Sequence, residues 1–186
     1  MTILVCPLSQ VARVIKNRAP ERIVSLLDPE TPFPETGRAY LRLHLRLQVH
    51  DIPEPMLGMI APSAGHMTEL LAFLGGWTRR APLLIHCYAG YSRSSATAYI
   101  AACLHNPNTD ESEIAHALRA ASPRARPNLG LVQLADVALG RNGRMADAIA
   151  ELCRQWPGTD RAENDPFEMP GVFAADAVTK PGARRR

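Results

Sequence analysis

The amino-acid sequence predicts an α/β fold, in which a central, mostly parallel sheet of about four to five strands is flanked by helices. Strand-like and helix-like segments alternate in the first half of the chain, and only helix-like segments follow until about residue 155. The run at residues 82–86, PLLIH, is apolar throughout, as expected of a strand buried on both faces of a sheet. With 186 residues, of which 46% are hydrophobic, the chain is long enough to bury the core of such a fold.

Four segments are predicted to be strands. Residues 22–27 form a short apolar run that ends at Asp28 and Pro29, a pair typical of turns. Residues 40–49 alternate between apolar and polar side chains, which predicts a strand with one buried face. The predicted strands are residues 2–7, 22–27, 40–49 and 82–86.

Six segments are predicted to be helices. The segment after the most apolar strand carries apolar side chains spaced by three and four residues, beginning at Ala96. Ser9 is placed where a helix N-cap belongs, since its hydroxyl could accept a bond from the free amides of the first turn. The predicted helices are residues 9–18, 66–77, 94–104, 110–121, 129–139 and 145–155.

Composition and charge indicate one domain and exclude several kinds of partner. Residues 1–157 are expected to form the domain, and residues 158–186, rich in Pro, Gly, Asp and Ala without periodicity, a flexible or loosely attached tail. A net charge of +3 is too small to indicate nucleic acid, but it suits a protein that binds an anion. Because the sequence has no long apolar stretch and no basic leader, we expect no membrane partner and a cytoplasmic location.

Cysteine and histidine spacing gives no sign of a metal site. The four cysteines are far apart and form no CxxC pair, which is neither a disulfide framework nor a zinc signature. The histidines share no spacing typical of metal ligands. We therefore expect no metal and no cofactor.

The segment HCYAGYSRS at residues 86–94 lies between the predicted buried strand and the helix that follows it. A loop in this position can direct backbone N–H groups and the positive end of the helix dipole at a bound anion. Gly90 lets the loop approach the ligand closely because it carries no Cβ. The residues expected to bind a phosphate group in this way are Tyr88, Ala89, Gly90, Tyr91, Ser92 and Arg93.

Three side chains of this segment can carry chemistry. Backbone amides, a helix dipole and a guanidinium all stabilise a thiolate, the nucleophilic form of cysteine, which makes Cys87 a candidate nucleophile. The planar fork of Arg93 can hold two oxygens of a phosphoryl group. Ser94 can donate its hydroxyl to the sulfur and help the thiolate to leave, although its position would also suit an N-cap.

The segment resembles the HCxAGxSRS signature of the cysteine-dependent protein-tyrosine and dual-specificity phosphatases. The full signature between a strand and a helix is highly specific, whereas Cys-x5-Arg alone arises by chance. PNLGLVQL at residues 127–134 resembles the PNxGFxxQL segment of dual-specificity phosphatases, with Leu131 in place of the aromatic residue. The resemblance covers roughly residues 23–140 and implies the compact, dual-specificity type of the protein-tyrosine-phosphatase fold.

The resemblance also implies roles for residues outside the loop. The family uses an Asp on a mobile loop after an edge strand as general acid, and Asp51 matches that placement. An Asx turn at Asp51 is the alternative, and Glu54 and Asp28 are rival acids. Asn128 is a candidate to support the phosphate loop or the acid loop, unless it only starts a helix. His86 is expected to be a buried residue that holds the loop by hydrogen bonding.

The resemblance implies a phosphomonoester hydrolase that works through a phosphocysteine intermediate. Phosphotyrosine is the expected substrate, and phosphoserine and phosphothreonine are a second possible class of substrate. Its partners would be phosphorylated proteins or small phosphoesters. None of the variable loop positions is basic, which disfavours a polyphosphorylated lipid headgroup. A rhodanese-like sulfurtransferase and a phosphate-binding pseudophosphatase stay open as other classes.

Some relatives protect an oxidised nucleophile with a second thiol, for which Cys6 is the candidate, while Cys103 is expected to fill the core.

Overall fold

The sheet of the protein is built from five strands in a computed structural model that describes residues 1–154 and 163–177. The strands are β1 (Thr2–Pro7), β2 (Arg22–Leu27), β3 (His44–Gln48), β4 (Leu83–Cys87) and β5 (Phe167–Pro170). Their order in the sheet is β3-β2-β4-β1-β5, and β1 to β4 are parallel while β5 is antiparallel to β1. The predicted α/β fold with a mostly parallel sheet is confirmed.

Helices cover both faces of this sheet. They are α1 (Val11–Arg18), α2 (Ala64–Gly75), α3 (Arg93–His105), α4 (Glu111–Ala121), α5 (Leu129–Ala138), α6 (Arg144–Arg154) and the short α7 (Ala174–Ala177). The main core lies between the sheet and α2 to α6, and a smaller apolar cluster lies under α1. Helix α3 is buried along nearly its whole length because the sheet lies on one side of it and α4 and α5 on the other. The six predicted helices agree with the structure to within two residues at each end.

The start of the first helix differs from the prediction. A short 3-10 turn, Leu8–Gln10, precedes α1, and the N-cap residue is Gln10, whose side chain makes no capping bond. The Ser9 hydroxyl instead donates to Glu163 at 2.5 Å. The predicted Ser9 cap is therefore wrong, because its hydroxyl is used in a contact with a distant part of the chain.

The third strand is shorter than predicted. Residues 38–43 form a 3-10 turn and a bend, so that Leu41 is 74% exposed, and β3 begins only at His44. β3 pairs with β2 from Ile23 onward, and β2 itself begins at Arg22. The earlier residues satisfy their backbone groups within turns, as in the bond from the Leu43 amide to the Tyr40 carbonyl, so alternation alone could not make them a strand.

Residues 163–177 were expected to belong to a loosely attached tail, but they form part of the folded domain. β5 pairs with β1 and completes the edge of the sheet. Phe167, Met169 and Phe173 are buried in the main core. Burial of these apolar side chains against the sheet outweighs a composition that resembles a linker. Residues 158–162 and 178–186 of the expected tail, and residues 155–157 of the expected domain, lie outside the described residues.

The described helices include none that combines the length and the hydrophobicity needed to cross a membrane.

Candidate active site

The loop of residues 87–93, here called the phosphate loop, lies at the carboxyl end of β4, the central strand of the sheet. Cys87 is the last residue of β4 and is 2% exposed, and α3 begins at Arg93. Gly90 has a φ of +79°, and a Cβ on it would lie 2.7 Å from the backbone nitrogen of Pro7. Only glycine fits here, because the loop is both left-handed at this point and packed against the end of β1.

The backbone of the loop is oriented by hydrogen bonds to its carbonyl oxygens. Four consecutive carbonyls accept bonds: Tyr88 from the Leu8 amide, Ala89 and Gly90 from the two nitrogens of Asn164, and Tyr91 from the Arg126 amide. In a trans peptide the carbonyl and the following N–H point to opposite sides of the chain. The N–H groups of residues 89–92 are therefore directed away from these partners, and the Gly90 amide donates to Sγ of Cys87. Amides on the concave side of a loop can bind an anion.

The sulfur of Cys87 lies within this arrangement of donors. The Gly90 amide donates to Sγ at 3.3 Å, and the hydroxyl of Ser94 lies 3.1 Å from Sγ. The N-cap residue of α3 is Ser92 rather than Ser94, so capping does not account for Ser94. The amide bond stabilises negative charge on the sulfur, and the Ser94 hydroxyl adds to this when it is the donor.

Arg93 is 3% exposed and is held at one nitrogen of its guanidinium. Nη1 donates to Asp28 at 2.9 Å and to the carbonyl oxygen of Val49 at 2.6 Å. Nε is buried and has no hydrogen-bond partner among the described residues. A buried donor without a partner is costly unless a ligand satisfies it. The two bonds of Nη1 therefore fix the orientation of the guanidinium beside the loop.

Asp51 lies beside the phosphate loop rather than in an isolated turn. Its Oδ1 accepts hydrogen bonds from the hydroxyl of Ser92 at 2.7 Å and from Nδ2 of Asn128 at 2.9 Å. Nδ2 of Asn128 also donates to the carbonyl of Ile52, and its Oδ1 caps α5 by accepting from the Leu131 amide. Asn128 therefore both begins a helix and joins the loop that carries Asp51 to the phosphate loop.

His86 is completely buried below the loop. Its Nε2 lies 2.5 Å from the hydroxyl of Ser25, and Nε2 of His44 lies 2.6 Å from the same hydroxyl. Burial lowers the pKa of both imidazoles to about 4, and the positive charge of Arg46 adds to the effect at His44. Both histidines are neutral near pH 7, and His86 supports the strand end as a hydrogen-bonding residue.

The other two thiols that the sequence analysis considered are Cys6, which is near enough to Cys87 to feel its charge, and Cys103. Cys6 belongs to the apolar cluster under α1, on the opposite face of the sheet from the core that includes Cys87. Cys103 is ten residues beyond Arg93 on α3, about 15 Å along a helix axis. Burial raises the pKa of each of these two thiols to about 12. They pack in the core as protonated side chains.

Two residues of the site were not found from the sequence. Asp28 was weighed only as a turn residue and a rival acid, yet it pairs with Arg93. Asn164 lies 74 residues beyond the glycine of the loop and contacts its backbone. No local pattern marks either residue, because their partners come from distant strands and loops.

No family model and no curated protein matches this sequence. Solved structures do match. Human DUSP28 is 19% identical, with a TM-score of 0.56 over 75% of this chain and 94% of that chain. Human tyrosine phosphatase-like serine/threonine/tyrosine-interacting protein is 18% identical, with a TM-score of 0.56 over 73% and 89%. PTPMT1 in complex with PI(5)P is 15% identical, with a TM-score of 0.51 over 81% and 90%. The chain has the compact fold of the dual-specificity phosphatases.

Proposed function

We propose that the protein is a phosphomonoester hydrolase that works through a phosphocysteine intermediate on Cys87. The observation that carries the proposal is the arrangement around the Cys87 sulfur, which combines the Gly90 amide, the Ser94 hydroxyl and the buried guanidinium of Arg93 at the start of α3. An arginine arranged in this way next to inward-facing amides suits a phosphate, whose oxygens accept from a guanidinium in pairs. The HCxAGxSRS resemblance and the shared fold support the same conclusion.

The first step transfers the phosphoryl group to sulfur. The thiolate of Cys87 attacks phosphorus in line, the S–P bond forms, and the bond from phosphorus to the ester oxygen breaks. Asp51 gives its proton to the departing oxygen. Both hydrogen bonds to its carboxyl fall on Oδ1, so Oδ2 is the atom that would carry this proton. The loop amides and Arg93 hold the equatorial oxygens as charge spreads over them.

The second step returns the enzyme to its starting state. Water attacks phosphorus, Asp51 takes its proton, and the S–P bond breaks to release inorganic phosphate. The hydroxyl of Ser94, 3.1 Å from the sulfur, eases departure of the thiolate by donating to it. The alcohol or phenol and inorganic phosphate are the products, and no metal takes part.

We propose phosphotyrosine as the main substrate and phosphoserine and phosphothreonine as the second class. None of the variable loop positions is basic, which does not favour an inositol headgroup with several phosphates. A pocket of about 570 Å³ adjoins the site and is lined by Asp51, Ser92, Asn128 and Arg126 among others. A pocket of this size next to the acid can take the chain that flanks a phosphorylated residue.

The test is hydrolysis of an aryl phosphate in EDTA, with orthovanadate as inhibitor. We expect turnover without metal, and we expect Cys87→Ser to abolish it while keeping the affinity for phosphate. Wild-type turnover by Cys87→Ser would refute the mechanism. Transfer of sulfur from thiosulfate to cyanide would indicate the sulfurtransferase, and phosphate binding without turnover would indicate the pseudophosphatase. A panel of phosphopeptides and phosphoinositides then defines the substrate class.

A further inference from the structure

Residues 163–177, here called the C-terminal strap, are fixed at several places on the domain. β5 of the strap pairs with β1, and Phe167 and Met169 are buried beneath it. At the far end, the strap is held by Asn106, whose Nδ2 donates to the carbonyl of Gly171 at 3.3 Å and whose Oδ1 accepts from the Phe173 amide at 3.0 Å. The strap is therefore a stable part of the fold, and its first residues are held against the phosphate loop.

Asn164, near the start of the strap, is 7% exposed and donates three hydrogen bonds to other described residues. Its backbone amide donates to the carbonyl of Ala89 at 2.8 Å. Its side-chain Nδ2 donates to the carbonyl of Gly90 at 3.2 Å and to the hydroxyl of Ser122 at 2.9 Å. Two of these three acceptors are consecutive carbonyls of the phosphate loop.

These two carbonyls belong to the peptides that direct the central amides of the loop. The carbonyl of Ala89 shares a peptide with the Gly90 amide, which donates to Sγ of Cys87 at 3.3 Å. The carbonyl of Gly90 shares a peptide with the Tyr91 amide. Because each peptide is rigid and trans, holding the oxygen on one side fixes the N–H on the other.

The same peptides are the part of the loop that could most easily rotate. Gly90 has a φ of +79° and no side chain to restrict its backbone. If either flanking peptide turned over, a carbonyl oxygen would replace an amide in the concave site and would repel an anion. The bonds from Asn164 oppose that rotation on both sides of the glycine.

We propose that Asn164 is a positioning residue of the phosphate loop, which holds the Gly90 and Tyr91 amides toward the sulfur and the bound oxyanion. It acts through the backbone and does not itself contact the phosphoryl group. The proposal rests on the proposed function for its catalytic meaning. Its structural content, the orientation of two amides, can be tested separately.

The experiment compares Asn164→Asp with Asn106→Asp. Each change keeps the shape of a buried asparagine that holds the strap, and each replaces an amide donor with an acceptor. Only Asn164 faces the phosphate loop, whereas Asn106 donates to Gly171 and to the carbonyl of Ala102. Asn164→Ala serves as a second variant if Asn164→Asp does not fold.

Three readouts are measured on each variant: kcat/KM for an aryl phosphate, the affinity for inorganic phosphate in a Cys87→Ser background, and the rate at which iodoacetamide alkylates Cys87, followed by peptide mass spectrometry. We expect Asn164→Asp to lower kcat/KM and phosphate affinity by about 10- to 100-fold. This is the range expected when loop amides lose their hydrogen bonds to a charged phosphate. Alkylation of Cys87 should slow less than phosphate binding weakens, because the backbone amide of Asn164 still holds the Ala89 carbonyl in every variant. All three values for Asn106→Asp should stay within about threefold of the wild type. This should hold even if Asn106→Asp lowers the melting temperature as much as Asn164→Asp does.

Equal effects of the two substitutions, or no effect of either, would overturn the proposal. Phosphate binding without turnover in the wild type would refute the proposed function. The phosphate affinities of Asn164→Asp and Asn106→Asp would then decide the role of Asn164. If the wild type neither bound phosphate nor hydrolysed esters, the proposed function would fail, and the alkylation rates of the two variants would still decide whether the side chain of Asn164 holds the loop around the sulfur.

Discussion

Replacement of Gly90 by Ala tests how closely the phosphate loop packs against the sheet. A Cβ at this position would lie 2.7 Å from the backbone nitrogen of Pro7 and 3.0 Å from the carbonyl carbon of Cys6. Both atoms belong to the backbone of β1, so neither can move without shifting the strand. The residue would also have to adopt a φ of +79°.

Gly140 provides a matched control because it shares the backbone conformation but not the crowding. Its φ is +63°, and among residues 1–154 and 163–177 no atom other than those of its chain neighbours lies within 4 Å of an added Cβ. Gly140→Ala should therefore cost only the left-handed conformation, about 1–2 kcal/mol of the free energy of unfolding. Gly90→Ala should add the cost of overpacking, about 1–3 kcal/mol, for a total of about 2–5 kcal/mol.

The assay is urea denaturation of both variants, together with inhibition by vanadate. We expect Gly90→Ala to be the less stable variant and to lose vanadate affinity, since the loop amides must move when the Cβ pushes against β1. Gly140→Ala should keep the wild-type affinity. The same loss of stability in both variants, with vanadate affinity unchanged in Gly90→Ala, would refute the described packing of the loop on β1.

Three further results are expected. Asp51→Asn should lower kcat for an aryl phosphate by about 10²–10⁴-fold and remove the limb of the pH profile that belongs to the acid, and an unchanged profile would contradict its role. Ser94→Ala should give a burst of released phenol followed by turnover about 10- to 100-fold slower, because the leaving sulfur loses a hydrogen bond; a linear time course at the wild-type rate would speak against this. Burial lowers the pKa of His86 from 6.5 to about 4, so the unfolded chain takes up this proton first as the pH falls. The contribution of His86 to stability should thus be fully present above pH 6.5 and should be lost, at about 3 kcal/mol, between pH 6.5 and 4. His86→Gln should lose less stability than the wild type over that interval, since only the contribution of His44 remains, and equal slopes in denaturation would count against the assignment.

Local pattern was sufficient for most elements and failed where long-range pairing decided the outcome. The apolar runs at β1, β2 and β4 and the helical periodicities required no knowledge of neighbours. β3 lost its predicted first residues because β2 offers no partner before Ile23. β5 was missed because a four-residue strand ending in proline carries too short an alternation to be distinguished from a linker.

The candidate site shows the same division. Cys87, Arg93 and Ser94 were found because one contiguous segment carries them, and their spacing along a strand, loop and helix fixes their relation. Asp28 and Asn164 come from other strands or segments, so only the folded chain brings them to the loop. Their roles stay predictions until the variants described above are measured.

The sequence by itself determined the strand–loop–helix unit at residues 83–105, because a buried apolar strand, a glycine at the turn and a helical period are all local properties. Only the tertiary structure decided which way the amides of that loop point. Peptide orientation depends on the partners of the carbonyl oxygens, and those partners are the Leu8 and Arg126 amides and Asn164, which lie far apart in the chain. Sequence spacing carries no information about such contacts, because they arise when β1 and β5 complete the sheet beside β4.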